Sequence, residues 1–128
     1  MALPLRGGVR LDGGRHGRLP CRSPHAQLGV VVGKPSTPTP RGLFAVYERV
    51  RQPAGSVLGP FALQLTAHSK MLRNYGGGPG RVAMHGRSGA LLSDPLGSAR
   101  SHGRVRMQNR IIRWLARRAL PGTPVEIR

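Results

Sequence analysis

The sequence predicts a mainly β domain with one helix near its carboxyl-terminal end. Two observations carry this prediction. From residue 28 onward, short β-branched or alternating apolar runs follow one another, bounded by glycine or proline. A single late segment, about residues 106–120, instead repeats apolar residues at helical spacing and is stopped by Pro121-Gly122. Successive strands with one late helix favour a β-rich domain over a series of alternating strands and helices.

The predicted strands are short and lie at residues 28–32, 42–50, 61–66, 81–86 and 124–127. Residues 28–32 form an unbroken apolar run, which is typical of a buried strand. Residues 42–50 are apolar in both alternating sets, which predicts burial on both faces. Residues 61–66 alternate loosely between apolar and polar side chains, which predicts a half-exposed strand.

The amino-terminal part of the chain has a different character. Residues 1–27 are rich in Arg, Gly and Pro without sustained periodicity, and only residues 9–11 suggest a strand fragment. We expect this part to be irregular or to hold degenerate N-terminal strands, and we expect residues 28–128 to form the folded domain. At 128 residues the chain has room for one small domain.

The chain is strongly basic, with 21 lysine and arginine residues against 4 aspartate and glutamate residues, a formal net charge of +17. This charge favours a polyanionic partner such as nucleic acid, an anionic membrane or an anionic wall polymer. The codon bias of a GC-rich coding sequence is the simpler explanation, because nearly all the basic residues are arginine and Gly, Pro and Ala are abundant. The few aromatic residues are scattered, unlike those of a base-stacking module.

Three segments contain the motifs that point to a reaction site. Residues 30–44 read Val-Val-Val-Gly and then Thr-Pro-Thr-Pro-Arg-Gly-Leu-Phe, residues 84–86 read Met-His-Gly, and residues 101–107 read Ser-His-Gly-Arg-Val-Arg-Met. In this order and at these spacings they resemble the L,D-transpeptidases, bacterial enzymes that cross-link peptidoglycan. The resemblance extends over residues 28–128. It implies a mixed-sheet β-sandwich of the L,D-transpeptidase type.

The resemblance also implies a reaction and its residues. In the family, a cysteine attacks a carbonyl of the peptidoglycan stem peptide, expels a terminal D-alanine, and passes the acyl group to a neighbouring stem amine. His85 matches the general base, since a nearby imidazole favours the thiolate. Ser101, His102 and Gly103 match residues that shape the site and its oxyanion hole, whose donors are worth roughly 3 kcal/mol each. Arg106 matches the arginine that follows the cysteine by two positions and contacts substrate or anchors the site.

Arg104 stands where the resemblance expects the nucleophilic cysteine. A guanidinium stays protonated, with a pKa above about 12, and has no lone pair for attack. Its charge beside His85 would also disfavour an imidazolium. Two other residues could be considered as substitute nucleophiles. The resemblance makes Ser101 a structural or oxyanion-side residue, and Cys21, the single cysteine, belongs to the irregular segment, far from the site in sequence. We therefore expect no transpeptidase activity, which leaves it uncertain whether the chain is an enzyme.

The predicted function is an L,D-transpeptidase-like domain of cell-wall biogenesis, either a silent binder of peptidoglycan stem peptides or a decayed enzyme. The alternative is a basic protein that binds nucleic acid or another anionic polymer. We expect no cofactor and no metal, because the histidines and the cysteine form no ligand cluster. No apolar run approaches the roughly 20 residues of a membrane span. The family acts outside the cytoplasmic membrane, yet residues 1–10 contain no apolar leader segment, so the localisation stays open.

Overall fold

The computed structural model describes residues 9–11, 29–68, 74–75, 78–79 and 81–127. The described strands are β1 (Val9–Leu11), β2 (Val32–Gly33), β3 (Gly42–Arg51), β4 (Phe61–His68), β5 (Asn74–Tyr75), β6 (Gly78–Pro79), β7 (Arg81–His85), β8 (Ala99–Ser101), β9 (Val105–Arg106) and β10 (Pro124–Ile127). Among the same residues there is one α-helix, α1 (Asn109–Arg118), and one short 3-10 helix, Gly89–Ser93.

In the described part of the chain, six strands form a mixed sheet in the order β1-β10-β3-β4-β7-β9. Neighbouring strands are antiparallel except β7 and β9, which run parallel. The parallel pair of β2 and β8 is attached to this sheet through a bridge between Val31 and Arg106. The predicted fold class, a mainly β mixed sheet with one late helix, is confirmed.

Helix α1 packs against β4 and β7 at the centre of the sheet. It buries Ile111, Ile112, Leu115 and Ala116, which join Leu63 of β4 in one apolar cluster. Complete burial of each leucine or isoleucine contributes about 1.5–3 kcal/mol. Because β7 lies under this helix, His85 at the end of β7 belongs to a buried strand.

The predicted helix start at residue 106 is wrong. Val105 and Arg106 form β9, which pairs with Met84 and His85 of β7. On its other side, Arg106 exchanges backbone hydrogen bonds of 2.8 and 2.9 Å with Val31. Strand pairing on both sides holds Arg106 extended, so the helix begins only at residue 109, and it ends at residue 118.

Two predictions about burial are also wrong. In β3, Leu43 is 75% exposed and Tyr47 is 52% exposed, while Val46 is buried. In β4, predicted to be half-exposed, both Ala62 and Leu63 are buried. Helix α1 packs against β4 and β7, which covers the face of β4 that carries Leu63. Ala62 lies on the opposite face, where it is paired with His85 of β7, so the burial of both faces depends on packing between distant segments, which local alternation does not report.

The suggested strand fragment at residues 9–11 is β1, which pairs with β10. The rest of the segment predicted to be irregular or degenerate, including Cys21, lies outside the described residues.

Candidate functional site

His85 ends β7 and is buried, with 1% of its surface exposed. Its backbone pairs with Ala62 of β4 on one side and with Arg106 of β9 on the other. The N–H group of Met107 donates to the carbonyl of His85 at 2.9 Å. The sheet therefore holds this histidine from both sides.

The imidazole of His85 has a defined tautomer. Its Nδ1 lies 2.5 Å from the carbonyl oxygen of Gly86, and because a carbonyl only accepts, Nδ1 carries the proton. Burial lowers the pKa of His85 to about 4, with smaller contributions from the charges of Arg104 and Arg106 and against the opposing effect of the Gly86 hydrogen bond. At neutral pH the ring is neutral, and its Nε2 can accept a proton or hydrogen bond.

The Ser-His-Gly run builds a tight turn before β9. The buried hydroxyl of Ser101 donates to the carbonyl of Arg104 at 2.5 Å and accepts from the N–H group of Gly103 at 3.1 Å. Gly103 has a φ of +106°, a conformation that side chains other than glycine rarely adopt. Serine and glycine at these positions fix where the backbone of residue 104 lies.

The Thr-Pro segment at residues 37–40 forms hydrogen bonds to this turn. Thr37 donates its hydroxyl to the carbonyl of Ser101 at 3.1 Å, and Thr39 donates to the carbonyl of Gly103 at 2.9 Å. The hydroxyl of Thr39 also accepts from the N–H group of Gly33 at 2.8 Å. Sequence reasoning used the Thr-Pro repeat for the resemblance but missed these two threonines as site residues.

Arg106 is anchored by a residue that the sequence analysis did not select. Its Nη1 donates to Oδ2 of Asp94 at 2.7 Å, and the arginine side chain is 9% exposed. Arg87 donates to the backbone carbonyl of Asp94 at 2.8 Å. A buried guanidinium needs such a partner, because an unpaired buried charge is costly. Of the two roles expected for Arg106, this contact supports the anchoring role.

The structure brings several of the predicted site residues together. Arg104 and Arg106 lie close enough to His85 for their charges to act on its pKa. Ser101 and Gly103 form the adjoining turn, while the side chain of His102 is exposed. The N–H group of Gly103 donates to the hydroxyl of Ser101.

Two further findings concern metal ions and membranes. Within the described ranges, no three or more His, Cys, Asp or Glu side chains are grouped so as to hold a metal ion. Nor does that part of the chain contain a helix with the length and apolar character to span a membrane.

The chain matches a known protein family. The YkuD family model, described as the L,D-transpeptidase catalytic domain, matches residues 11–127. No curated protein matches the chain by sequence.

Solved L,D-transpeptidase structures are similar in fold. One from Mycobacterium tuberculosis H37Rv has a TM-score of 0.62 at 21% identity, over 87% of this chain and 48% of that chain. L,D-transpeptidase 3 from Mycobacterium tuberculosis has a TM-score of 0.59 at 19% identity, over 90% of this chain and 49% of that chain. This chain therefore spans about half the length of these structures. Because the family model matches nearly all of the chain, the protein belongs to the L,D-transpeptidase catalytic domain family.

Proposed function

We propose that this chain is a peptidoglycan-directed domain that binds stem peptides without forming a covalent intermediate. Family membership supports the peptidoglycan part of this proposal. One observation carries the catalytic part: Arg104 follows Ser-His-Gly, where the resemblance expects cysteine. The chemistry of that side chain decides what the site can do.

Acyl transfer needs an atom that attacks the carbonyl, and we assign no such atom to the described residues around His85. The neutral ring of His85 could accept a proton, but the guanidinium of Arg104 offers no nucleophilic lone pair. The hydroxyl of Ser101 is buried and already donates to the carbonyl of Arg104 while accepting from Gly103. That hydroxyl closes the turn, and its attack on a substrate would break the turn.

Arg104 gives the site a binding chemistry in place of the reaction. Stem peptides end in a carboxylate, and a guanidinium binds a carboxylate through charge-assisted hydrogen bonds. Arg106 forms an ion pair with Asp94 at 2.7 Å. We assign the stem-peptide carboxylate to Arg104, because its charge lies near His85, at the position where the resemblance expects the nucleophile. The bond that an active enzyme would cleave then stays intact.

The test restores the thiol. An L,D-transpeptidase of the same fold has been solved in complex with imipenem, which makes this carbapenem a suitable probe. We expect Arg104→Cys, made in a Cys21→Ser background, to gain the full mass of imipenem, because the thiolate forms a thioester while the β-lactam C–N bond opens and no group leaves. The Cys21→Ser parent and the matched Arg104→Ser variant should gain no mass.

Each result has a definite meaning. A covalent adduct or cross-linking activity in the Cys21→Ser parent would show that the site is catalytically competent as it stands. A folded Arg104→Cys variant that never reacts would show that residue 104 is not at the nucleophile position. If the wild type ignores stem peptides but binds DNA with a steep salt dependence, the alternative function, a basic nucleic-acid binder, is the better one.

A further inference from the structure

An open cavity of about 960 Å³ lies between the connection from β3 to β4 and the exposed side of α1. Its lining includes Arg51 at the end of β3 together with Arg113 and Arg117 of the helix. His85 and Arg104 are not part of this lining. We call this cavity the arginine groove.

The arginine groove concentrates positive charge that the described protein does not neutralise. Arg113 and Arg117 are four residues apart on one helix, so they project from the same face and repel each other. Arg51 adds a third cation from a different element. Among the described residues, none of these three arginines has a carboxylate partner. An anionic ligand would remove this repulsion.

The walls of the groove are held in place by hydrogen bonds. Ser88 donates its hydroxyl to the carbonyl of Ser56 at 2.7 Å, and its N–H group donates to Val57 at 3.0 Å. Asn109 accepts from the N–H group of Arg87 at 2.8 Å. These bonds tie the β3–β4 connection, the segment after β7 and the start of α1 into one frame, so the shape of the groove exists before a ligand arrives.

We propose that the arginine groove binds a flexible chain of phosphate groups that carries no bases. Planar guanidinium groups match phosphate oxygens in pairs, and three of them suit a ligand with several phosphates. The volume is near the upper end of the roughly 300–1,000 Å³ of small-ligand sites, well above that of one ion. Base stacking needs exposed aromatic rings, whereas the described lining offers one, Phe61, which packs against the core.

The experiment measures binding of a glycerol phosphate oligomer to the wild type and to Arg51→Gln, Arg113→Gln and Arg117→Gln. Each substitution should weaken binding about fivefold and lower the salt dependence of log K by about one unit. Arg41→Gln is the matched control, because Arg41 is exposed, carries the same charge and does not line the groove. It should change binding less than about twofold, since only distant screened charge is lost.

Three outcomes would overturn the proposal. Equal weakening by Arg41→Gln would mean that binding follows net charge alone. Tighter binding of an oligothymidylate with the same number of phosphates would make the ligand a nucleic acid. Equal binding of an oligoglutamate with the same number of charges would remove the preference for phosphate. The proposal does not depend on the wall-peptide function, and imipenem labelling of the Arg104→Cys variant should be unchanged by Arg113→Gln.

Discussion

Arg106 and Asp94 join two segments of the site through an ion pair with an Nη1–Oδ2 distance of 2.7 Å. The arginine belongs to β9, next to the turn that carries Arg104, and the aspartate belongs to the connection after β7. Arg87 donates to the backbone carbonyl of Asp94 at 2.8 Å, and Arg100 lies 3.8 Å from its carboxylate. Asp94 therefore links the connection after β7 to β9 through its ion pair with Arg106.

Asp94→Asn should destabilise the protein by about 2–3 kcal/mol. The substitution keeps the shape of the side chain but leaves the guanidinium of Arg106 buried without a counter-charge, which typically costs several kcal/mol; the partial exposure of Asp94 reduces the effect. Urea unfolding measures it. Arg100→Gln is the control, because Arg100 is 61% exposed and more distant, and it should cost less than about 0.5 kcal/mol. Equal losses in both variants would contradict the anchoring role.

His85 should make stability depend on pH. Its folded pKa is about 4, whereas its ordinary value is 6.5. Between these two values the unfolded chain binds a proton that the folded chain does not, so stability falls as the pH drops through this window and levels off below it. The full effect is on the order of 3 kcal/mol. Unfolding of wild type and His85→Gln at several pH values measures it, and parallel pH curves for the two proteins would argue against a buried neutral ring.

Local sequence was sufficient to select His85, Ser101 and Gly103 as candidate site residues, because each stands in a short run that carries the resemblance. It was not sufficient for Thr37 and Thr39, whose carbonyl partners lie 64 residues further along the chain. Hydrogen bonds over such distances depend on how the strands are ordered, which periodicity does not report. The threonines could have been suspected only from their place in the Thr-Pro repeat.

The wrong predictions of the helix start and of the burial of β3 and β4 have the same origin, namely contacts between segments that are distant in sequence. Periodicity placed Arg106 at the start of a helix, and pairing with Val31 and His85 made it a strand instead. Alternating apolar residues predict which side chains share a face of β3 or β4, but not which face α1 covers. Asp94 had one usable signal, since the chain holds only 4 acidic residues among so many arginines, and a rare carboxylate in such a chain is a natural partner for a buried cation.

Thr39→Val tests the contact between the Thr-Pro segment and the turn. Valine keeps the shape of threonine but removes one acceptor for Gly33 and one donor for the carbonyl of Gly103. The loss should be about 2 kcal/mol in urea unfolding. Thr66→Val is the control, because the hydroxyl of Thr66 accepts one exposed hydrogen bond, from Ala45; it should cost about 0.5 kcal/mol or less. Similar losses in both variants would mean that the turn is held without Thr39.

Gly86→Ala tests how tightly the residue after His85 is enclosed. An added Cβ would overlap Oδ1 of Asn109 and lie 3.1 Å from Cγ2 of Ile112. Asn109 has little freedom to move away, because it accepts from the N–H group of Arg87 at 2.8 Å. Overpacking of this kind should cost about 2–3 kcal/mol in urea unfolding.

The cause of that loss can be isolated with a double-mutant cycle. In an Asn109→Ala background the obstructing oxygen is absent, so Gly86→Ala should cost at least about 1 kcal/mol less than in the wild type. Gly55→Ala is the matched control: it places an alanine at a φ of +81° with no atom within 4 Å of its Cβ. Its cost should be backbone strain alone, roughly 1–2 kcal/mol, and unchanged by Asn109→Ala. If Gly86→Ala also costs the same in the wild type and in the Asn109→Ala background, Asn109 does not enclose the end of β7. Another contact then fixes the backbone beside His85.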